Sequence, residues 1–256
     1  MYMYSYNEHS ESGTELAKAL GLKMIKHDDR KFKGSEDKKV LNWGRSDLPV
    51  QVRRSTVINP ENSVAQAVNK VNAFLAMTKA GVSTVPFTLK KEEAVTWLAE
   101  GHRVFARTRV KGKDGEGLVE CFINDKIPNA RLYTKVIPQE KEYRVNLVDA
   151  REQPGNLGWG VSCQRRVVLD DFKGDVHPDI KTSGNGYGFK YVTQNIPASV
   201  IEQAKAALKA VKLDFGGVDV LYSRDGKAYV LEVNTAPAFT PRVIATLKPY
   251  FETFFK

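Results

Sequence analysis

A run of alternating apolar and polar residues near the C-terminus constrains the fold of this chain more than any other stretch. It reads VDVLYSRDGKAYVLEVNTAPAFT over residues 218–240. Asp225-Gly226 is a strong signal for a tight two-residue turn, with Arg224 and Lys227 predicted to face each other across it. The stretch therefore predicts two antiparallel strands that lie side by side.

Three oxygen-bearing side chains interrupt the apolar pattern of this hairpin. The predicted register places Asp219 opposite Glu232, roughly 5 Å apart at Cβ, where two carboxylates repel each other. Asn234 follows Glu232 by two residues and lies on the same face. Magnesium prefers oxygen ligands and commonly shares carboxylates with substrate phosphates, so a bound ion would turn the repulsion into attraction. We predict a metal site at Asp219, Glu232 and Asn234. In the alternative, Asp219 accepts a hydrogen bond from a backbone amide at a bulge and Glu232 pairs with a nearby arginine.

Composition excludes several classes of protein. Of the 256 residues, 42% are hydrophobic and 27% are charged, which is ordinary for a globular protein. No apolar run approaches the roughly 20 residues that span a bilayer, and the N-terminus has no signal-peptide pattern. Cys121 and Cys163 are isolated in strand-like runs, which predicts buried free thiols and a reducing, cytoplasmic location. We expect no membrane partner, and the oligomeric state is left open.

The net charge of +9 predicts an affinity for anions without naming them. Nucleic acid is one candidate and nucleotide phosphate is another. The basic residues are scattered in pairs, and the sequence contains no recognised nucleic-acid-binding motif. Nucleic acid therefore stays an alternative partner without support from a motif.

Short helices alternate with short antiparallel hairpins, which is an α+β pattern rather than a repeated βαβ pattern. After an opening βα unit, one amphipathic helix is predicted over residues 63–81. The longest helix is predicted over 197–213, and a closing helix is predicted to be interrupted or kinked at Pro249. Residues 170–188 form a polar, glycine-rich region.

The sequence KGKDGEGL, between two apolar strands, predicts a loop that binds an anion. Its glycines Gly112, Gly115 and Gly117 permit positive φ angles and close approach of N–H groups to a phosphate. Lys111 and Lys113 add positive charge. Many hairpin turns contain such glycines, so an ordinary turn is the alternative.

Three further cations are candidates for the same anion site. Arg107 lies on the strand before the loop, Lys70 on the amphipathic helix, and Lys135 on the strand RLYTKVI. Each is, in the alternative, a solvated side chain. His9 and His177 lie in polar loops and are interpreted as solvated, with substrate contact as the other option.

The order of these motifs resembles the ATP-grasp superfamily from about Asn69 to Thr240. FGGVDVLYSRDGKAYVLEVNTAP resembles the acid and Glu-x-Asn signature that holds magnesium in that family. EYRV is similar to its acid-x-Arg-Val element, with Glu142 and Arg144 at the matching positions. VNKVNAFLAMTKAGVSTVP resembles its helix with an Asn/Asp-Lys start.

VSCQRRVV and DIKTSGNGYGF are similar to a double-arginine strand and a following loop in RimK-like glutamate ligases, which are close to glutathione-synthetase-like ligases. The matching positions are Arg165, Arg166, Lys181, Ser183 and Asn185. The sequence departs from the family pattern at Arg107, where lysine is usual, and at the glycine loop. The compact size is similar to stand-alone members from bacteriophages, for which the location would be the host cytoplasm.

The resemblance implies an ATP-grasp fold in which two α+β lobes clasp ATP. The implied divisions are a reduced N-terminal α/β segment over 1–60, a first lobe with the glycine-rich loop over 61–137, and a second lobe with the metal site over 138–256.

The resemblance also implies roles for individual residues. Arg144 and Arg166 are the candidates for contact with the substrate carboxylate or the transferring phosphoryl group. One or two Mg²⁺ ions, with Mn²⁺ as a substitute, would lie at Asp219, Glu232 and Asn234. The implied ATP-binding residues are Lys70, Arg107, Lys111, Gly112, Lys113, Gly115, Gly117, Lys135, Val136, Ile137 and Glu142.

The function that the resemblance implies is ATP-dependent ligation of a carboxylate to an amine through an acyl phosphate. The carboxylate is a small molecule or a peptide, and neither substrate is identified by the sequence. One alternative is a small-molecule kinase on the same ATP-binding frame. Another is a basic nucleic-acid-binding protein without catalysis.

Overall fold

The computed structural model describes residues 1–28, 31–110 and 115–256, and three β-sheets organise this part of the chain. Helices pack against a parallel sheet and two antiparallel sheets. The architecture is α+β, as the sequence predicts. Among the described residues, no helix has the length and apolar character needed to cross a membrane.

The N-terminal segment is built on a parallel sheet with the strand order β2-β1-β3-β4. Ser10 caps the first helix by accepting the N–H of Gly13, and Gly21 ends it in the left-handed conformation. The elements are β1 (Tyr2–Ser5), α1 (Glu11–Leu20), β2 (Lys23–Met24), β3 (Lys39–Trp43), α2 (Val50–Arg53) and β4 (Thr56–Ile58).

Lobe 1, which runs from α3 to β8, contains an antiparallel sheet with the order β5-β8-β6-β7. Trp97 and Leu98 of one helix pack on Val104 and Tyr133 of the sheet. The elements are α3 (Glu61–Val68), α4 (Lys70–Lys79), β5 (Phe87–Thr88), α5 (Lys91–Ala99), β6 (Val104–Arg107), β7 (Leu118–Cys121) and β8 (Leu132–Lys135).

The single helix predicted over 63–81 is wrong, because the chain forms α3 and α4 with a break between them. Asn69 at the break is extended, with φ −90° and ψ 106°, and its side-chain oxygen accepts the N–H groups of Val71 and Asn72. Asparagine favours such caps over helix interiors because its side chain competes for backbone donors. The break makes Lys70 the first residue of α4.

Lobe 2, which runs from β9 to the C-terminus, contains a five-stranded antiparallel sheet with the order β11-β10-β9-β12-β13. The helix after Thr240 continues past Pro249 and tightens into a 3₁₀ turn at Thr253–Phe255, so the predicted interruption falls later than expected. The elements are β9 (Gln139–Asp149), β10 (Trp159–Val168), β11 (Tyr187–Val192), α6 (Ala198–Ala210), β12 (Phe215–Ser223), β13 (Ala228–Asn234) and α7 (Pro241–Glu252).

The two faces of the lobe 2 sheet differ in polarity because side chains alternate along each strand. Tyr143, Val145 and Val218 lie on one face and pack on α6 in the largest hydrophobic cluster. Glu142 and Arg144 alternate with them and point to the other face. The polar face therefore lies toward lobe 1, where a cleft forms.

The hairpin register near the acids is as predicted, but the turn is not. Asp219 pairs with Glu232, yet the turn is closed by Ser223 and Lys227 rather than by Arg224 and Lys227. The three-residue loop has Gly226 at φ +79°, a conformation that suits glycine.

A β-bulge in β13 reconciles this turn with the register at the acids. Val220 pairs with Val230 and Asp219 pairs with Glu232, which leaves Leu231 as the extra residue. A bulge shifts the alternation of side chains by one residue. Val230 can therefore be buried in the core while Glu232 faces the cleft.

Asn59 fastens the N-terminal segment to lobe 2. Its side-chain oxygen accepts the N–H groups of Asp214 (2.7 Å) and Phe215 (3.2 Å), and its amide nitrogen donates to the Phe215 carbonyl (2.9 Å). The Asn59 N–H donates to the Asp214 carboxylate at 2.6 Å. Trp43 stacks on Phe215 with the ring centroids 5.7 Å apart.

Candidate active site

A cleft with a volume of about 970 Å³ separates the two lobes. Strands β6 and β8 and helix α4 line it from lobe 1, and the polar face of the lobe 2 sheet lines it from the other side. Tyr6 and Gly44 of the N-terminal segment also line the cleft. Both faces contribute charged side chains, so the cleft is suited to a charged ligand.

The three predicted metal ligands, Asp219, Glu232 and Asn234, lie in this cleft, and each of the two carboxylates has a cationic partner. Asp219 accepts two hydrogen bonds of 2.7 Å from Nε and Nη2 of Arg144. Glu232 pairs with Lys70 at 3.0 Å, and the Asn234 amide donates to its other oxygen at 3.3 Å. The three predicted metal ligands are therefore brought together. The cation paired with Glu232 is Lys70 rather than the arginine of the alternative, and Asp219 pairs with an arginine rather than with a backbone amide.

Burial and neighbouring cations act against each other on Glu232. Desolvation alone would raise its pKa, but Lys70, with Arg144 and Arg107 at longer range, holds the pKa of Glu232 at about 2. The carboxylate is therefore ionised at any physiological pH. An ionised, partly shared carboxylate is the form that binds a divalent cation.

A second ion pair extends the cluster. Arg166 donates from Nε to Glu142 at 3.0 Å, and its Nη2 lies 3.7 Å from Asp219. Burial raises the pKa of Glu142 to about 7, with Asp219 adding to the effect and Arg166 opposing it. Glu142, predicted to bind ATP, thus lies in the cleft as the partner of Arg166.

The donor set fits a magnesium ion. Within the described ranges, no group of three His, Cys, Asp or Glu residues could hold a metal ion. The oxygen-bearing side chains at the predicted metal site are Asp219, Glu232 and Asn234, and all three line the cleft. These are hard oxygen donors, as Mg²⁺ prefers, and a set this small leaves room for phosphate oxygens and water.

Arg107 at the end of β6 has a buried donor without a partner. Its Nε is inaccessible to solvent and makes no hydrogen bond within the described part of the chain. Burial lowers the pKa of Arg107, while Glu232 favours its charged form. A buried unpaired guanidinium N–H is costly, so this group is suited to receive an anionic oxygen.

Residues 135–137 join the two lobes at the back of the cleft. The Nζ atom of Lys135 lies 5.0 Å from the centroid of the Trp97 ring and 3.9 Å from a carboxylate oxygen of Glu100. The N–H of Val136 donates to the Arg103 carbonyl at 2.9 Å. Ile137 packs at the edge of the main hydrophobic cluster. All three predicted residues line the cleft.

The glycine-rich loop can be described only in part. Lys111, Gly112 and Lys113 lie outside the described residues. Gly115 and Gly117 have φ values of +78° and +72°, which confirms that the backbone at both positions takes the conformation available to glycine.

A polar cluster joins lobe 1 to the loop between β10 and β11, at the mouth of the cleft. Arg103 Nη1 contacts Glu120 at 2.9 Å and Asp179 at 2.7 Å. The other Glu120 oxygen lies 3.1 Å from His177 Nε2, and His177 Nδ1 accepts the N–H groups of Asp179 and Ile180. His177, interpreted from the sequence as solvated, is therefore a structural contact between the lobe 1 sheet and this loop.

We expect Arg103→Met to loosen the loop over residues 175–182. The substitution keeps an unbranched apolar stem and removes the charge shared by Glu120 and Asp179, which are mostly buried acids. Amide hydrogen exchange in this loop should become faster by about tenfold, because hydrogen bonds to charged groups contribute about 1.5–3 kcal/mol. Arg131→Met, at an exposed arginine of the same lobe, is the control. Unchanged exchange in Arg103→Met would show that the cluster does not hold the loop.

Several residues of the cleft were not found from the sequence. Gln139 donates to the Pro178 carbonyl at 3.3 Å, and its buried side-chain oxygen has no partner among the described residues. Phe189 lies on β11, a strand that begins within the region 170–188 that the sequence presents as polar and glycine-rich. Of the double arginine, only Arg166 faces the cleft, while Arg165 is exposed on the other face of β10.

Comparison with known proteins bears on the fold. No model of a protein family matches the chain, and no curated protein matches it. Among solved structures, the chain is similar to D-alanyl-alanine synthetase A from Vibrio cholerae O1 biovar eltor. The TM-score is 0.66 at 13% identity, with 100% of this chain and 98% of that chain covered.

Two other solved structures are similar over most of the chain. The ATP-grasp ligase PsnB, complexed with precursor peptide PsnA2 and AMPPNP, gives a TM-score of 0.61 at 17% identity, with 97% and 96% of the chains covered. N5-carboxyaminoimidazole synthetase from Staphylococcus aureus, complexed with ADP, gives 0.63 at 15% identity, with 92% and 69% covered. The fold of this chain is the ATP-grasp fold, as the sequence resemblance implied.

Proposed function

We propose that the protein is an ATP-dependent carboxylate–amine ligase that forms a C–N bond through an acyl phosphate. One observation carries the proposal. Asp219, which is buried, pairs directly with the partly exposed Glu232, and both face several cationic side chains in a cleft between two α+β lobes. A nucleotide with its metal ion is the ligand class that such a mixed cluster can receive, because it brings both signs of charge.

The proposed reaction has two steps. A substrate carboxylate oxygen attacks the γ-phosphorus of ATP, giving an acyl phosphate and ADP. An amine then attacks the acyl carbon, loses a proton, and expels phosphate. The protein contributes orientation and charge neutralisation rather than a nucleophile of its own.

The roles of the residues follow from their positions. Arg107 and Lys70 would contact phosphate oxygens from lobe 1, and Arg144 and Arg166 would contact the substrate carboxylate or the transferring phosphoryl group from lobe 2. Mg²⁺ held by Asp219, Glu232 and Asn234 would neutralise charge on the phosphates. In this proposal Glu142 orients Arg166, in keeping with their 3.0 Å hydrogen bond.

The test is the release of ADP and free phosphate with Mg-ATP and a panel of carboxylates and amines. The panel includes amino acids, polyamines and acidic peptides, because PsnB is described with a precursor peptide. A ligase releases one ADP and one free phosphate for each C–N bond and requires both substrates. A kinase would keep the phosphate on its product. Salt-sensitive nucleic-acid binding without ADP formation would favour the non-catalytic alternative.

We expect Arg107→Ala to weaken ATP binding by roughly ten- to a hundredfold, because it removes a charge-assisted hydrogen bond to phosphate. Isothermal titration with Mg·AMPPNP measures the affinity. Arg109→Ala is the matched control, since Arg109 also lines the cleft but is exposed and paired with Glu116. An unchanged affinity in Arg107→Ala would remove this residue from the phosphate site.

A further inference from the structure

Phe189 is an apolar ring in an otherwise charged part of the cleft. It lies on β11 directly opposite Arg166 of β10, and it is only partly buried. It belongs to none of the hydrophobic clusters of the described residues. A partly exposed phenylalanine outside the core, in a polar cleft, requires a reason other than core packing.

Both candidate catalytic arginines stack on this one ring. The Arg166 guanidinium carbon lies 4.0 Å from the Phe189 ring centroid, and that of Arg144 lies 4.4 Å from it. These distances are well inside the range of about 6 Å in which a guanidinium over an aromatic ring is attracted to it. Both arginine side chains are mostly buried, with 12% and 13% of their surface exposed, which strengthens such contacts.

The ring and the carboxylates constrain different motions of the guanidinium groups. Asp219 and Glu142 bind the edges of the two arginines and fix them within the plane of each group. A carboxylate bonded to one edge of a guanidinium group does not prevent that group from tilting about the edge. An aromatic ring against the face of the guanidinium group does prevent this tilt. Within the described residues, Arg144 uses Nε and Nη2 for Asp219, which leaves Nη1 for a ligand.

We propose that Phe189 is a positioning residue that holds Arg144 and Arg166 with their remaining N–H donors directed into the cleft. The role in catalysis rests on the proposed function. The stacking itself does not, because it exists in the protein without substrate. A small tilt of these donors would misplace the substrate carboxylate or the phosphoryl group, and misplacement of about 1 Å is costly to a reaction.

The test compares Phe189→Leu, Phe189→Tyr and Tyr191→Leu. Leucine keeps an apolar side chain and removes the ring, while tyrosine keeps the ring. Tyr191 is the matched control, because it lies on the same strand and its ring stacks on Arg242 at 3.8 Å outside the cleft. Thermal unfolding of each variant verifies that it is folded.

The first measurement is ¹⁵N NMR of the arginine side chains in ligand-free protein. In Phe189→Leu, the Nε–H resonances of Arg144 and Arg166 should lose their ring-current shifts, and rotation of both guanidinium groups should become faster. In Phe189→Tyr, the slow rotation should persist. Resonances that stay unchanged in Phe189→Leu, or that are lost equally in Phe189→Tyr, would overturn the proposal.

The second measurement is turnover with the carboxylate and amine that support ADP release. We expect kcat to fall by roughly ten- to a hundredfold in Phe189→Leu, with KM for ATP within about twofold. Phe189→Tyr should restore most of kcat, and Tyr191→Leu should not change it. A protein that turns over no substrate would contradict the proposed function, while the NMR measurement would still decide the placement of the arginines. A normal kcat in Phe189→Leu would overturn the positioning role.

Discussion

Glu232→Gln is expected to abolish ADP formation, a loss of about a thousandfold or more, while leaving the chain folded. The substitution keeps the shape of the side chain but removes the negative charge that would share a divalent cation with Asp219. Electrostatic contacts that develop in a transition state are each worth about 10²–10³ in rate. Multiple-turnover ADP release with Mg-ATP measures the effect.

The structure provides a matched control for this variant. Asp225→Asn makes the same chemical change in the turn of the same hairpin, where Asp225 is exposed and pairs with Lys227. It should leave turnover unchanged. A Glu232→Gln protein that is folded and fully active would remove Glu232 from the metal site and would contradict the proposed function.

The acid stability of the protein should also change in Glu232→Gln. Because the folded pKa of Glu232 is lowered to about 2, its carboxylate contributes stability above its unfolded pKa of about 4.3. That contribution is lost as the pH falls from about 4.3 toward 2. The variant lacks this contribution, so its melting temperature should fall less steeply than that of the wild type over that range.

Asn59→Ala is expected to lower the free energy of unfolding by about 3–5 kcal/mol, because three hydrogen bonds between the N-terminal segment and lobe 2 are lost, two of them buried and one partly buried. Two backbone N–H groups and one carbonyl at Asp214 and Phe215 would be left without their side-chain partner. The melting temperature should fall by about 10 °C, as measured by calorimetry.

Asn59 also has a positive φ of 60°, where alanine is strained, so the effect of backbone strain must be separated from that of the hydrogen bonds. Asn195→Ala is the matched control, because Asn195 has φ 57° and is exposed. It should lower the stability by only about 1 kcal/mol. Equal losses in the two variants would show that the Asn59 side chain contributes little to joining the segment to lobe 2.

The part of the site that the sequence predicts well is the part set by local pattern. Period-two alternation and a turn signal placed Asp219 opposite Glu232, and the structure has that pair. The loop was predicted one residue too short, because it contains Arg224 as well as Asp225 and Gly226, and the bulge at Leu231 compensates for that error. Nothing in the local pattern signals this bulge, because the face of the sheet on which Val230 is buried is set by packing against residues that are distant in sequence.

The rest of the site could not be predicted because it depends on pairing between distant strands. The contact of Arg144 with Asp219 joins residues 75 positions apart, and that of Lys70 with Glu232 joins residues 162 apart. The break at Asn69 that directs Lys70 was hidden by a continuous apolar period. Strand β11 was missed because it begins inside the polar, glycine-rich stretch, where Gly186 and Gly188 flank Tyr187, and Phe189 was missed with it.

The hydrogen bonds of Asn59 join the N-terminal segment and lobe 2 into one unit, which we call the base. The N-terminal segment is fixed to lobe 2 by buried hydrogen bonds and by the stacking of Trp43 on Phe215. Helices α3 and α4 pack in the same hydrophobic cluster as the lobe 2 sheet and α6, with Phe74 and Met77 fully buried there, so they move with the base. The lobe 1 sheet and α5 have a hydrophobic cluster of their own. Any opening of the cleft should therefore move the lobe 1 sheet and α5, while the acids, Arg144 and Arg166 stay fixed on the base.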